Sequence, residues 1–258
     1  MLNQQYKQIV RVRRALLAYF MVCAVLGLLV AAVGLSSHHA VNIENGGHVI
    51  IIPLMILFLI AAFPAAIFAT VLGSGLAGEN AQTLAWAWTK PISRTSYALG
   101  MMAVDVSAVI TAYLIAILVL EMMPLMVYGL FKYVTYSSVD GGAFLRGLVF
   151  PIAVYCVLQA FTASLRRNAG LVIGLAWPIG LVLGGLRKTG LEHPFRDIVW
   201  LLNLINPWAY LAFQIDARDF APVSPHIVQL MVQHGIALAI IAVVAVFAAT
   251  FQWNRLEA

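Results

Sequence analysis

The chain has 258 residues, 63% of them apolar and only 10% charged, with a net charge of +5 and a mean hydropathy of +0.95. Soluble domains carry roughly a quarter charged residues, so an ordinary soluble enzyme or binding module is excluded. The positive balance comes without a basic stripe interleaved with exposed aromatics, which excludes a nucleic-acid partner.

Lipid offers no partner for backbone N–H and C=O groups, so long apolar runs are expected to be helices. At ~20 residues per crossing there is room for about six spans and little else. The expected fold is an all-α integral membrane protein with six transmembrane helices, residues 1–258 forming a single transmembrane domain.

Span 1 is predicted over Ala15–Leu35, behind the basic residues Lys7, Arg11, Arg13 and Arg14. Its apolar run exceeds the 7–15 residues of a signal-peptide core and has no clean small-x-small cleavage site, so it is expected to be retained. Span 2 is predicted over Val49–Leu72, with Pro53 and Pro64 inside it and an end that extends to Leu76 on a longer reading. Cys23 in span 1 and Cys156 in span 4 read as small packing residues.

A polar insert, Gly78–Arg94, follows span 2. Ala77, Ala81, Leu84, Ala85 and Trp88 form a helical stripe, and Glu79, Asn80, Gln82, Thr83 and Lys90 fill the other face. Trp86 and Trp88 suit the headgroup level. The prediction is an amphipathic interfacial helix, ended by Pro91, with Ser93 able to cap the helix that becomes span 3. The segment reads either as a connecting hairpin or as a docking element for a cytoplasmic partner.

Span 3 is predicted over Tyr97–Leu120 and contains Asp105, a carboxylate well inside the apolar run. A charge there must face protein or water, which leaves a structural hydrogen bond, cargo contact or proton coupling open. Span 4 is predicted over Leu148–Leu165, and span 5 over Ala169–Leu186 with Pro178 inside it. Gly170 and Gly174, and Gly180 and Gly184, are spaced four apart in span 5, as Ala65, Ala69 and Gly73 are in span 2. Such spacing lets helices approach closely, and the glycines fit a subunit interface and intrachain packing equally.

Two external segments, 121–142 and 187–227, are apolar enough either to re-enter the membrane or to lie on its surface. In the second, short helices are predicted over Ile198–Ile205 and Pro207–Ile215, broken at Asn206-Pro207. Span 6 is predicted over Val228–Phe251. With six spans, the N-terminal cations, Lys90, Arg94, Arg166, Arg167 and Arg255 share one side. Lys132, Arg146, Arg187, Lys188, Arg196 and Arg218 lie on the other side, diluted by Glu192, Asp197, Asp216 and Asp219. The positive-inside rule then puts both termini in the cytoplasm.

Motifs for chemistry are missing. Gly184–Gly190 has the residue types of a phosphate loop at the wrong spacing, and there is no H-E-x-x-H or G-x-S-x-G. His38, His39, His48, His193, His226 and His234 are scattered, and no metal site is expected. The chain is not expected to be an enzyme.

The order Glu79, Thr83-Leu84, a short amphipathic stretch and Pro91-Ile92-Ser93-Arg94, between the second and third of six spans, resembles the permease subunits of ABC-2-type ABC transporters. Asn203-Leu-Ile-Asn-Pro-Trp208 between spans 5 and 6, and the short polar tail Gln252–Ala258, are similar to that family as well. Gln82 stands where a small residue commonly precedes the Thr, and Gly100–Ala103 where a basic residue is often found.

The resemblance implies a permease subunit of an ATP-driven exporter of an amphiphilic cargo, in a bacterial plasma (inner) membrane. It implies two copies of a separate ATP-binding subunit and a second permease, identical or homologous. ATP and Mg²⁺ would sit on the partner, with no cofactor on this chain. Glu79, Asn80, Gln82, Thr83, Lys90 and Arg94 would form the ATPase-docking surface. The alternatives are an ion-coupled secondary transporter, which calls for several intramembrane ionisable groups and an internal repeat, and a non-transporting membrane scaffold or immunity protein.

Overall fold

The apolar runs fold as helices in the computed structural model, which describes residues 2–36, 52–87, 93–127, 129, 134–136, 140–162, 169–189, 195–211 and 225–255. In chain order these are α1 (Leu2–Ser36), β1 (Ile52–Pro53), α2 (Leu54–Ala87), α3 (Arg94–Ile115), a π-helical turn (Ala116–Met122), α4 (Met123–Val127), β2 (Val134–Thr135), α5 (Asp140–Thr162), α6 (Ala169–Thr189), α7 (Arg196–Leu204), α8 (Pro207–Leu211) and α9 (Pro225–Arg255).

Among the described residues five helical stretches are long and apolar enough to cross a membrane: Gln8–Ala32, Leu54–Gly73, Thr95–Val127, Asp140–Thr162 and Gln229–Arg255. A shorter apolar stretch, Ile173–Leu186, lies in α6. The described chain is therefore built mainly from helices, in a multi-pass arrangement compatible with a membrane-embedded protein. Its outward faces are apolar too: Leu28, Leu29, Val71, Val182, Val244 and Phe247 are all exposed, as expected where hydrocarbon is the solvent.

The structure differs from the sequence reading at several boundaries. α1 begins at Leu2, so the N-terminal cations lie on the helix that becomes span 1 rather than ahead of it. The membrane-crossing stretch of α2 ends at Gly73, close to the predicted Leu72, but the helix runs 34 residues through Ala87, carrying residues 78–87 of the polar insert as its own last turns. No separate interfacial helix begins at residue 77, because nothing in Gly73–Ala87 breaks the backbone ladder; Pro91 is the first residue able to do so. α3 is capped as expected: Ser93 is extended and its side chain accepts from the Ser96 N–H at 3.2 Å. The helical path of span 3 continues past Leu120 through the π-helical turn to Val127. α5 starts at Asp140 rather than Leu148, drawing Arg146 into a helix expected to begin after it.

The order of the ends is consistent. Thr95 at the start of α3 donates to Asn254 Oδ1 at the end of α9, 2.9 Å away, which puts the start of α3 and the end of α9 together. At the opposite end, β1 and β2 pair in parallel, Ile52 with Val134 and Pro53 with Thr135, joining the entry of α2 to the segment after α4.

α5 is the central helix. It packs most extensively against α2 and α9 and also touches α3, α6 and α8. Small residues make this possible: Ala61, Ala62, Ala65, Ala66 and Ala69 of α2 are fully buried. Gly73 faces Leu158 and Gln159 of α5. At Gly147 an added Cβ would sit 2.5 Å from the Tyr113 hydroxyl and 2.6 Å from the Phe58 carbonyl oxygen, so α2, α3 and α5 meet there with no room for a side chain. Pro64, Pro151 and Pro178 lie inside α2, α5 and α6; prolines within membrane helices are tolerated where surrounding groups take up the freed backbone carbonyls.

Candidate functional site

The buried polar groups gather along α5 in two clusters, one toward each end, with a third polar corner where α7 and α8 meet α6.

The first cluster surrounds Asp105, which is 0% exposed. Tyr155 of α5 donates its hydroxyl to Oδ2 at 2.7 Å, and Gln8 of α1 donates Nε2–H to Oδ1 at 2.7 Å. Arg11, close to Gln8 on α1, bears electrostatically on Tyr155. Gln159, one turn beyond Tyr155, reaches the Gly73 carbonyl of α2 at 3.4 Å. A carboxylate in an apolar bundle is costly unless hydrogen-bonded and offset by charge. Here both oxygens accept a bond, and Asp105 fastens α1, α3 and α5 together on the side where Thr95 meets Asn254.

The second cluster surrounds Arg146, 1% exposed near the start of α5. Its guanidinium donates from Nη2 to the Tyr210 carbonyl of α8 and from Nη1 to the Met231 sulfur of α9 at 3.1 Å. Tyr210 in turn stacks edge-on against His234 of α9, with centroids 5.7 Å apart. Arg146 thus ties the short helix α8 to α5 and α9. Tyr113 of α3, fully buried nearby, donates to the Phe58 carbonyl at 3.0 Å and to the Phe144 carbonyl at 3.3 Å.

The third group is the α7–α8 corner. The chain breaks helix at Asn206-Pro207, and a break inside an apolar bundle leaves backbone groups needing partners. Asn206 supplies them as an N-cap: its Oδ1 accepts from the Trp208 N–H at 3.2 Å, with Pro207 at the first helical position, where its missing N–H costs nothing. Its amide also donates to the Gly180 carbonyl and to Asn203 Oδ1, both at 2.9 Å. Asn203 donates to the Leu183 carbonyl at 2.9 Å. Two asparagines therefore clamp the corner onto α6. Trp208 lies buried against Trp177 and Phe150, with centroids 4.1 and 4.9 Å away. Trp177 donates its indole N–H to Thr70 of α2 at 2.9 Å.

The residues predicted to dock an ATPase are distributed as follows. Glu79, Asn80, Gln82 and Thr83 lie in the last turns of α2, and Arg94 opens α3; their side chains, and Lys90 altogether, fall outside the described residues. So do His38, His39, His48, Arg166, Arg167 and the whole of segment 212–224. Of the span 5 glycines, Gly180 faces Trp208 and Asn206 of the corner, and Gly184 faces the Ala209 backbone. Added Cβ atoms at Gly170 and Gly174 would meet nothing within 4 Å. The two glycine pairs therefore differ: one receives α8, the other faces no neighbour among the described residues. Cys23 and Cys156 are buried. Among the described residues no group of three or more His, Cys, Asp or Glu side chains is placed to hold a metal.

Arg146, Gln8, Tyr155 and Gln159 are functional candidates that the sequence reading did not single out. The spacing Tyr155, Gln159, Thr162 puts polar groups on one face of α5, and that periodicity was the available signal. No protein-family model, curated protein or solved structure matches the chain.

Proposed function

We propose that the chain is the transmembrane permease subunit of an ATP-driven exporter of an amphiphilic cargo. On this reading it has six crossings, both termini in the cytoplasm of a bacterial inner membrane, a second permease beside it and two ATP-binding subunits beneath. The supporting observation is the unbroken course of α2 from Leu54 through Ala87. At ~1.5 Å per residue it is about 50 Å long, enough to cross the bilayer and project its polar last turns beyond. A push delivered at Glu79–Thr83 passes without a joint to the part of α2 packed on α5. The α7–α8 corner fits the same reading: Trp208 packs against Phe150 and Gly180, both mid-helix, which supports a hairpin that re-enters the membrane.

Ion-coupled transport has less support. Asp105 has both oxygens occupied and no exposed surface, which suits a fastening group better than a proton carrier.

The test is purification of the affinity-tagged chain from its native membrane. An ATP-hydrolysing subunit should accompany it, and Glu79→Arg should weaken that association while the helical content stays unchanged. The isolated chain should hydrolyse no ATP. Transport by the lone chain in vesicles following an imposed pH gradient, and abolished by Asp105→Asn, would replace this function with a secondary carrier.

A further inference from the structure

A cavity of about 330 Å³ lies between α5, α6 and the α7–α8 corner. Its deep wall is made by Val154 and Leu158 of α5, both almost wholly buried, and by the buried ring of Trp208. Its outer rim carries Leu171 of α6 and Leu202 of α7, both exposed to the surroundings of the bundle. The cavity therefore leads from the outward apolar surface to side chains that surface lipid does not reach.

The lining selects the occupant. Asn206 is the polar side chain in it apart from the indoles, and its amide and carbonyl are engaged with Gly180, Asn203 and Trp208. Trp177 turns its N–H away to Thr70. Water needs two to four polar partners to stay in such a space, and an apolar void leaves its walls without contacts. Apart from the Trp208 indole N–H, a headgroup would find in this lining no side-chain donor or acceptor left over and no opposite charge. A flexible alkyl chain satisfies every wall. An apolar cavity of ~150 Å³ takes up benzene, so this one accommodates roughly a dozen carbons, most of a lipid tail with its headgroup left outside.

We propose that this cavity is a lateral binding site for one hydrocarbon chain of a membrane phospholipid, wedged between α5, α6 and the α7–α8 corner. The site is independent of any ATP-binding partner, and its test needs none.

The experiment uses the full chain in phosphatidylcholine vesicles containing a photoactivatable analogue with a diazirine in mid-chain, the adducts being mapped by mass spectrometry. Adducts are expected on Val154, Leu158 and Trp208, which bulk lipid does not touch, as well as on the outward-facing Phe247. A headgroup-diazirine analogue should leave the three buried residues unlabelled. Ala176→Phe, which projects a ring into the cavity, should reduce labelling of the three to background and keep that of Phe247. Adducts confined to outward residues in the unmodified protein would overturn the proposal without any variant, as would undiminished labelling of the buried three in a folded Ala176→Phe protein.

Discussion

Tyr155 and Asp105 face each other across the α3–α5 contact, the phenol donating to the carboxylate at 2.7 Å, and α1 closes the same carboxylate from the other side through Gln8. Hydrogen bonds to charged groups contribute ~1.5–3 kcal/mol. Tyr155→Phe is expected to lower stability in detergent by about that amount. Asp105→Leu should cost more, because it strands both donors. Asp105→Asn retains one acceptor and should fold, and on the exporter reading it should leave ATP dependence intact. Thermal unfolding followed by circular dichroism reads the first effects, and vesicle transport the last. Equal stability of Tyr155→Phe and the unmodified chain would show that the bond contributes nothing.

Arg146 makes a different kind of link, a cation held by a backbone carbonyl and a thioether sulfur. Arg146→Met keeps bulk but leaves the Tyr210 carbonyl without its donor, at a cost of about 1–3 kcal/mol. Arg146→Lys should not restore stability, since an ammonium cannot reproduce the fork that spans α8 and α9. The sensitive readout is local: hydrogen exchange at residues 207–211 should accelerate in both variants, and protection equal to that of the unmodified chain would argue against the tie.

The two glycine pairs of α6 predict opposite outcomes from the same substitution. Gly180→Ala drives a methyl into the Trp208 ring, which is wedged between Trp177 and Phe150 and has little room to yield. The expected loss is ~1–3 kcal/mol. Gly174→Ala meets nothing within 4 Å and removes a helix-interior glycine, so it should be neutral or stabilising by up to ~1 kcal/mol. Matched melting curves decide it. A reversed order would mean that α6 does not receive α8 as described.

Sidedness is testable at described positions. Tyr136, exposed just after β2, should react as a cysteine with an impermeant maleimide added outside intact cells. Asn254, beside Thr95, should react only after permeabilisation. Equal outside labelling of both would overturn the proposed topology.

Much of the fold was legible because hydropathy and helix breakers act locally. The two short helices flanking Asn206-Pro207, the Ser93 cap and the apolar runs all follow from residues within a turn or two of each other. What was not legible depended on distant partners. Arg146 reads as a loop residue until Tyr210 and Met231 are brought to it, and Gln8 reads as part of a solvated start until α1 is laid against Asp105. The apolar crossing of α2 ends at Gly73, close to the predicted Leu72; what was misjudged is that the helix continues beyond it. Polarity changes at Gly78, but polarity alone does not stop a helix, and the chain offers no proline until Pro91.

The π-helical turn at 116–122 has a consequence for the length of the chain. Its i→i+5 bonding holds one residue more per hydrogen-bonded ring than an α-helix does. Gly27 of α1 comes so close to it that an added Cβ would sit 2.8 Å from the Val119 carbonyl. Losing one residue inside the turn would let it relax to α spacing, with Asp105 and Tyr113 before it and Leu125 after it still facing inward. The same deletion in 105–113 would swing everything on one side by ~100° and carry a buried carboxylate or phenol toward hydrocarbon. Here, then, the helix has a single-residue tolerance that the rest of α3 lacks, and natural variation in the length of this helix should concentrate in that turn.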